Sequence, residues 1–133
     1  MKNPIRVLIV KTPHRLTTGL TTALTIHPDI EHVGTSSSAA EAITHCQQIC
    51  PDVVLIELVM LENDCISTIQ KIHQQQPHIQ IITLSKFTED SLVRRAREAG
   101  AVGNVQLGDS ADSIATTIYK VFQNAKQKHT TEG

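Results

Sequence analysis

Five short runs rich in Val, Ile and Leu recur along the chain, each followed by a segment of helical length. This alternation restricts the possible folds more than any other feature. The runs are IRVLIV (5–10), IEHVGT (30–35), DVVLIEL (52–58), IQIITL (79–84) and AVGNVQ (101–106). The first, third and fourth do not alternate apolar with polar residues, which is the pattern of strands buried on both faces of a parallel sheet. The second and fifth are more polar, as edge strands tend to be. Between them, residues 14–27 place Leu16, Leu20, Ala23 and Leu24 on one stripe, and residues 37–50 bring Ala40, Ile43 and Ile49 near one another. Residues 64–76 carry Ile66, Ile69 and Ile72; residues 89–99 carry Leu92, Val93, Ala96 and Ala99; residues 110–126 carry Ile114, Ile118, Val121 and Phe122. Thr88 and Asp109 or Ser110 stand where N-caps are expected, TSSS (35–38) reads as a loop with a helix cap, and Gly100 holds the position of a helix stop. A β-α unit repeated five times implies right-handed crossovers and a doubly wound parallel sheet with helices on both faces. The last residues, NAKQKHTTEG (124–133), have no apolar period, so the expected division is a domain over 1–125 and a polar tail or linker start over 126–133.

The bulk properties exclude several functions. A chain of 133 residues is the size of one domain, and 40% apolar with 19% charged residues is ordinary for a globular protein. A formal net charge of -1 favours neither nucleic acid nor an anionic membrane. No apolar run approaches the roughly 18 residues of a membrane span. The N-terminus lacks a signal-peptide pattern, so a cytoplasmic location is expected. The three cysteines, Cys46, Cys50 and Cys65, are an odd number without secretory context, which argues against a disulfide framework. Cys46 and Cys50 would share a helix face with His45 nearby, but two thiols at this spacing read as packing residues rather than metal ligands. One Tyr and no Trp leave too few aromatics for a base-stacking surface.

In open α/β sheets, ligands bind beyond the carboxyl ends of the strands. Those ends are Lys11-Thr12, Glu57, Ser85-Lys86 and Gln106-Leu107. Glu57 is the odd member, a carboxylate near the end of DVVLIELVM (52–60), whose seven other residues after Asp52 are apolar.

At these positions the sequence resembles a response-regulator receiver domain, of the branch usually fused to helix-turn-helix DNA-binding domains. The resemblance rests on IRVLIV..HRLTTGL, HPDIEHVGTSSSAAEAI, PDVVLIEL.M..ND.I, IQIITLSKFTEDSLVRRAREAGAVG and SADSI, and covers about residues 4–125. It implies a flavodoxin-like (β/α)5 fold with strand order 2-1-3-4-5. It also implies phosphoryl transfer from a histidine kinase to an aspartate ending the third strand, assisted by Mg²⁺, an acidic pair after the first strand, a Ser or Thr after the fourth and a Lys after the fifth. This chain departs from that pattern. The acidic pair is Lys11 and Thr12, the acceptor position is Glu57, the lysine position is Leu107, and the aromatic switch position is Asn104; Ser85 alone keeps the family's residue type.

The replacements change the electrostatics. Lys11 and Glu57 cancel, and Thr12 and Leu107 add nothing, where the family pocket carries the excess negative charge that a divalent cation neutralises. Mg²⁺ requires hard oxygen ligands in near-octahedral geometry, so its binding is expected to be lost, with no other metal or cofactor. The expected function is that of a degenerate pseudo-receiver that acts by protein–protein interaction and is not an enzyme, with Lys11 as the counter-charge of Glu57. Arg94, Arg95 and Arg97 form a basic cluster on the fourth helical segment, where the resemblance implies docking of a protein partner or a sister receiver, a homodimer included. No contact with nucleic acid or membrane is expected through this domain. Two alternatives remain open: a variant phosphoacceptor that uses Glu57 with a histidine kinase, and the regulatory half of a DNA-binding regulator whose output domain is absent.

Overall fold

The computed structural model describes residues 3–11, 20, 24–58, 62–85 and 91–132, with the backbone alone at 62–64 and 127–132. Five strands, β1 (Ile5–Val10), β2 (Ile30–Ser36), β3 (Val53–Glu57), β4 (Gln80–Ser85) and β5 (Gly103–Gln106), form one sheet in the order β2-β1-β3-β4-β5. Every pairing is parallel. The flavodoxin-like receiver fold and its strand order are thus as expected, and the two more polar runs are the sheet edges. Of the four described helices, α1 (Ala39–Ile49), α2 (Glu62–Gln75) and α3 (Ser91–Ala99) connect successive strands, and α4 (Ala111–Glu132) follows β5. Residues 20 and 24–26 are helical as well.

The apolar runs of β1, β3 and β4 are continuous because each of these strands serves two cores. Leu8, Val10, Val54, Ile56 and Ile81 face α1, α2 and α3, packing on Ala42, Cys46, Ile69, Ile72 and Ala96. Their neighbours in sequence, Val7, Ile9, Val53, Leu55 and Ile82, point the other way onto Leu20, Leu24 and α4 through Ile114, Ala115 and Ile118. Side chains alternate faces along a strand, so burial on both sides demands apolar residues at consecutive positions.

Local chemistry sets the helix ends. Ser38 caps α1 by accepting from the Glu41 N–H at 3.2 Å, and Glu41 accepts in return from the Ser37 N–H at 2.8 Å. Ser110 caps α4 by accepting from the Ser113 N–H at 3.1 Å, while Asp109 instead closes the turn after β5 through the Gln106 N–H at 2.9 Å. Gly100 ends α3 with φ +133°. Thr88, Leu16 and Ala23 lie outside the described residues.

Three features differ from the sequence reading. Ala40 is exposed, and the buried residues of α1 are Ala42 and Cys46, small side chains that bring the helix close to the sheet. The fifth strand begins at Gly103, because the Ala101 N–H is still bonded to the Ala96 carbonyl at 3.0 Å. The residues expected as a polar tail continue α4 to Glu132, since no Gly or Pro interrupts 126–132.

Candidate functional site

The carboxyl ends of β1, β3, β4 and β5 converge on one rim of the sheet. Register places their last residues. Val10 pairs with Ile56 and Glu57 with Leu84, so the next residue of the first strand's path, Lys11, stands level with Glu57. Its N–H donates to the Ser36 carbonyl at 3.0 Å, which holds it against β2. Glu57 is fully buried, at 0% exposure. Its carbonyl accepts from the Cys65 thiol at 3.5 Å, which ties the strand end to α2. The Leu58 N–H donates to the Leu84 carbonyl at 2.9 Å and the Leu107 N–H to the Ser85 carbonyl at 2.7 Å, closing the rim. Leu107 is half-buried against the core that faces α4. Lys11, Glu57 and Ser85 each also enter a further polar interaction.

A polar network runs from β4 to β5. Thr83 and Ser85 lie two residues apart on one face of β4, 1% and 3% exposed. Thr83 pairs in register with Asn104. The Thr83 hydroxyl donates to Asn104 Oδ1 at 2.7 Å, and the Ser85 hydroxyl donates to the same oxygen at 3.1 Å. Asn104 Nδ2 is buried and has no acceptor.

The structure therefore brings Lys11, Glu57, Ser85, Leu107 and Asn104 to one rim. Arg94, Arg95 and Arg97 do not join them; they are exposed on α3. Thr12 and Lys86 lie outside the described residues. Among the described residues, no three His, Cys, Asp or Glu side chains gather to hold a metal ion. The sequence reading missed Thr83, although a hydroxyl residue inside a Val/Ile/Leu strand, two positions before Ser85, marks a buried polar pair.

Cys46 is buried in the core and Cys50 is exposed. Burial, and secondarily the neighbouring Cys50, pushes the Cys46 thiol up to about 11. A thiol so held stays protonated at neutral pH, as suits a side chain packed in the core.

The sequence matches the response regulator receiver domain over residues 7–117. The response regulator protein VraR of Staphylococcus saprophyticus is 30% identical over 121 residues, which span 91% of this chain and 58% of that protein. VraR of Staphylococcus aureus is 33% identical over 116 residues, spanning 87% and 56%. The chain thus covers less than three-fifths of the length of these relatives. The signal receiver domain of the response regulator NarL from Mycobacterium tuberculosis has a TM-score of 0.82 at 20% identity, over 92% of this chain and 98% of that one. The response regulator domain of Thermotoga maritima CheB has a TM-score of 0.75 at 22% identity, over 92% and 96%. At these identities the structural likeness bears on the fold alone.

Proposed function

Because the chain belongs to the response regulator receiver domain family, whose members are signalling domains of two-component systems, we propose that it signals as a pseudo-receiver, by docking protein partners without Mg²⁺-dependent phosphorylation. The observation that carries this reading is the charge at the rim. One fully buried carboxylate, Glu57, ends β3, and the residue level with it is a lysine. Carrying a carboxylate into the interior is costly unless an opposite charge or hydrogen bonds compensate it. Lys11 supplies that charge from the neighbouring strand end.

Mg²⁺ does not fit this donor set. The ion is held by several oxygens in octahedral geometry, usually with one or two carboxylates. The two residues after β1 are Lys11 and Thr12, and the cation beside Glu57 opposes a second cation. Asp109, beyond β5, already accepts from the Gln106 N–H. Phosphoryl transfer depends on positioning and on cations that neutralise the transferring oxygens. The position after β5 that would supply a fixed cation is Leu107, and the longer Glu57 side chain displaces its oxygens by about one C–C bond, where a misplacement of ~1 Å costs on the order of 100-fold in rate. Output then runs through surface contacts. The exposed arginines of α3 offer a positively charged face to an acidic partner or to a second receiver.

Two measurements on the unaltered chain test this reading. In a Mg²⁺ titration followed by NMR, the Glu57 amide is expected to show no saturable shift at submillimolar metal. After incubation with a small phosphodonor, intact-mass analysis is expected to show only the unmodified chain. Saturable binding at Glu57, or a phosphoryl adduct, would return the domain to the phosphoacceptors and make Glu57 a variant acceptor.

A further inference from the structure

We propose that Asn104 is a clamp. It fixes the Ser85 hydroxyl toward β5 and so holds the rim in one state independently of what the Glu57 pocket binds. The inference deepens the pseudo-receiver reading and rests on it.

A serine hydroxyl has one proton, and here that proton is directed at Asn104 Oδ1, 3.1 Å away. The same oxygen receives the Thr83 proton at 2.7 Å, and the Thr83 hydroxyl also lies 3.3 Å from the Gly103 carbonyl. One amide oxygen therefore accepts from two hydroxyls on successive same-face positions of β4, and the register of β4 with β5 sets the geometry. Thr83 and Ser85 are almost wholly buried, so water cannot readily replace the amide, and releasing either hydroxyl strands a buried polar group. Asparagine is short, and turning its side chain away from β4 would break both bonds at once.

The other end of the amide shows what the arrangement costs. Asn104 Nδ2 is buried without an acceptor. An unsatisfied buried donor lowers stability, and the two hydroxyl bonds to the amide oxygen offset that loss. Two fixed hydroxyls are what the amide provides in exchange. The Ser85 proton, which lies nearest the rim, is directed at Asn104 in the sheet interior. Loss of response thus has two separate causes, the charge of the pocket and the clamp behind it.

The test is NMR on the unaltered chain, free of metal and phosphodonor. The χ1 couplings of Ser85 are expected to report a single rotamer, and its hydroxyl proton is expected to exchange with water about tenfold more slowly than that of the exposed Ser91, as one intact buried hydrogen bond implies. In Asn104→Ala, Ser85 is expected to average over rotamers with its hydroxyl protection gone. Rotamer averaging in the unaltered chain would overturn the clamp, and so would a single Ser85 rotamer that persists in Asn104→Ala. The first measurement decides the matter even if the variant does not fold. The clamp and the pocket reading fail separately: a fixed Ser85 in a chain that takes up phosphate refutes only the pocket reading, and an averaged Ser85 in a chain that takes up none refutes only the clamp.

Discussion

Gly100 shows how one residue can govern the approach to β5. Its φ is +133°, and a Cβ placed there would lie 2.7 Å from Cγ of His73 and 2.9 Å from two other atoms of that side chain. The turn it makes lets the Val102 N–H reach the Ile81 carbonyl at 2.8 Å, which begins the register that later aligns Asn104 with Thr83. Gly108 also has a positive φ, +98°, but its Cβ would meet nothing within 4 Å. Backbone strain alone costs on the order of 1–3 kcal/mol. Gly108→Ala is expected to lose about that much, and Gly100→Ala more, because the His73 overlap adds to it; urea unfolding would rank the two, and the reverse order would contradict this account. Cys46 makes a second prediction. Its ordinary value is 9.0 and burial raises it to about 11. A raised value means the fold prefers the neutral thiol, so its contribution is complete below pH 9.0, declines above it and is gone once the pH passes about 11. Unfolding curves across that window are expected to fall less steeply for Cys46→Ala than for the unaltered chain. Parallel curves would show that the thiol is not held neutral.

At the scale of elements, α3 separates its two faces cleanly. Val93, Ala96 and Ala99 are buried, and Arg94, Arg95 and Arg97 are exposed. Exposed substitutions away from caps and packing usually change stability by no more than about 0.5 kcal/mol. Within a reversal of all three arginines to glutamate, Arg94→Glu sets a carboxylate one helical turn before Glu98, a like-charge pair that costs a few tenths of a kcal/mol. The triple reversal is therefore expected to leave urea stability within about 1 kcal/mol and to abolish any self-association seen by sedimentation of the unaltered chain. A larger loss of stability would mean the arginines support the fold; unchanged self-association would move the docking face elsewhere. The buried stripes of α2, α3 and α4 were legible from their spacing, because Ile66, Ile69 and Ile72, for example, recur at helical intervals. α1 was legible in part: Ile43 and Ile49 pack against the core, but Ala40 is exposed. The helix cap at Ser38 and the small side chains Ala42 and Cys46 decided which face went inward, and small residues carry little hydropathic signal. The extent of α4 was missed for a different reason: hydropathic period reports burial, and a helix end can persist without being buried.

For the whole molecule, the pseudo-receiver reading turns on four positions around one rim. Changing Lys11→Asp, Thr12→Asp, Glu57→Asp and Leu107→Lys together would supply three carboxylates and a lysine, the donor set that favours a divalent cation. The quadruple variant is expected to gain Mg²⁺-dependent labelling by a small phosphodonor, read by intact mass. If it binds no Mg²⁺ on an intact fold, charge is not what the pocket lacks. The sequence by itself determined the sheet, its edges, the two-faced core and the charge of the rim. Those follow from residue type and from period, and a strand buried on both sides has few alternatives to consecutive apolar residues. Only the tertiary structure decided that Thr83, Ser85 and Asn104 meet at one amide oxygen. That contact joins residues 21 and 19 positions apart, and it depends on the register of β4 against β5, which the packing of helices on both faces sets and no local stretch of sequence encodes.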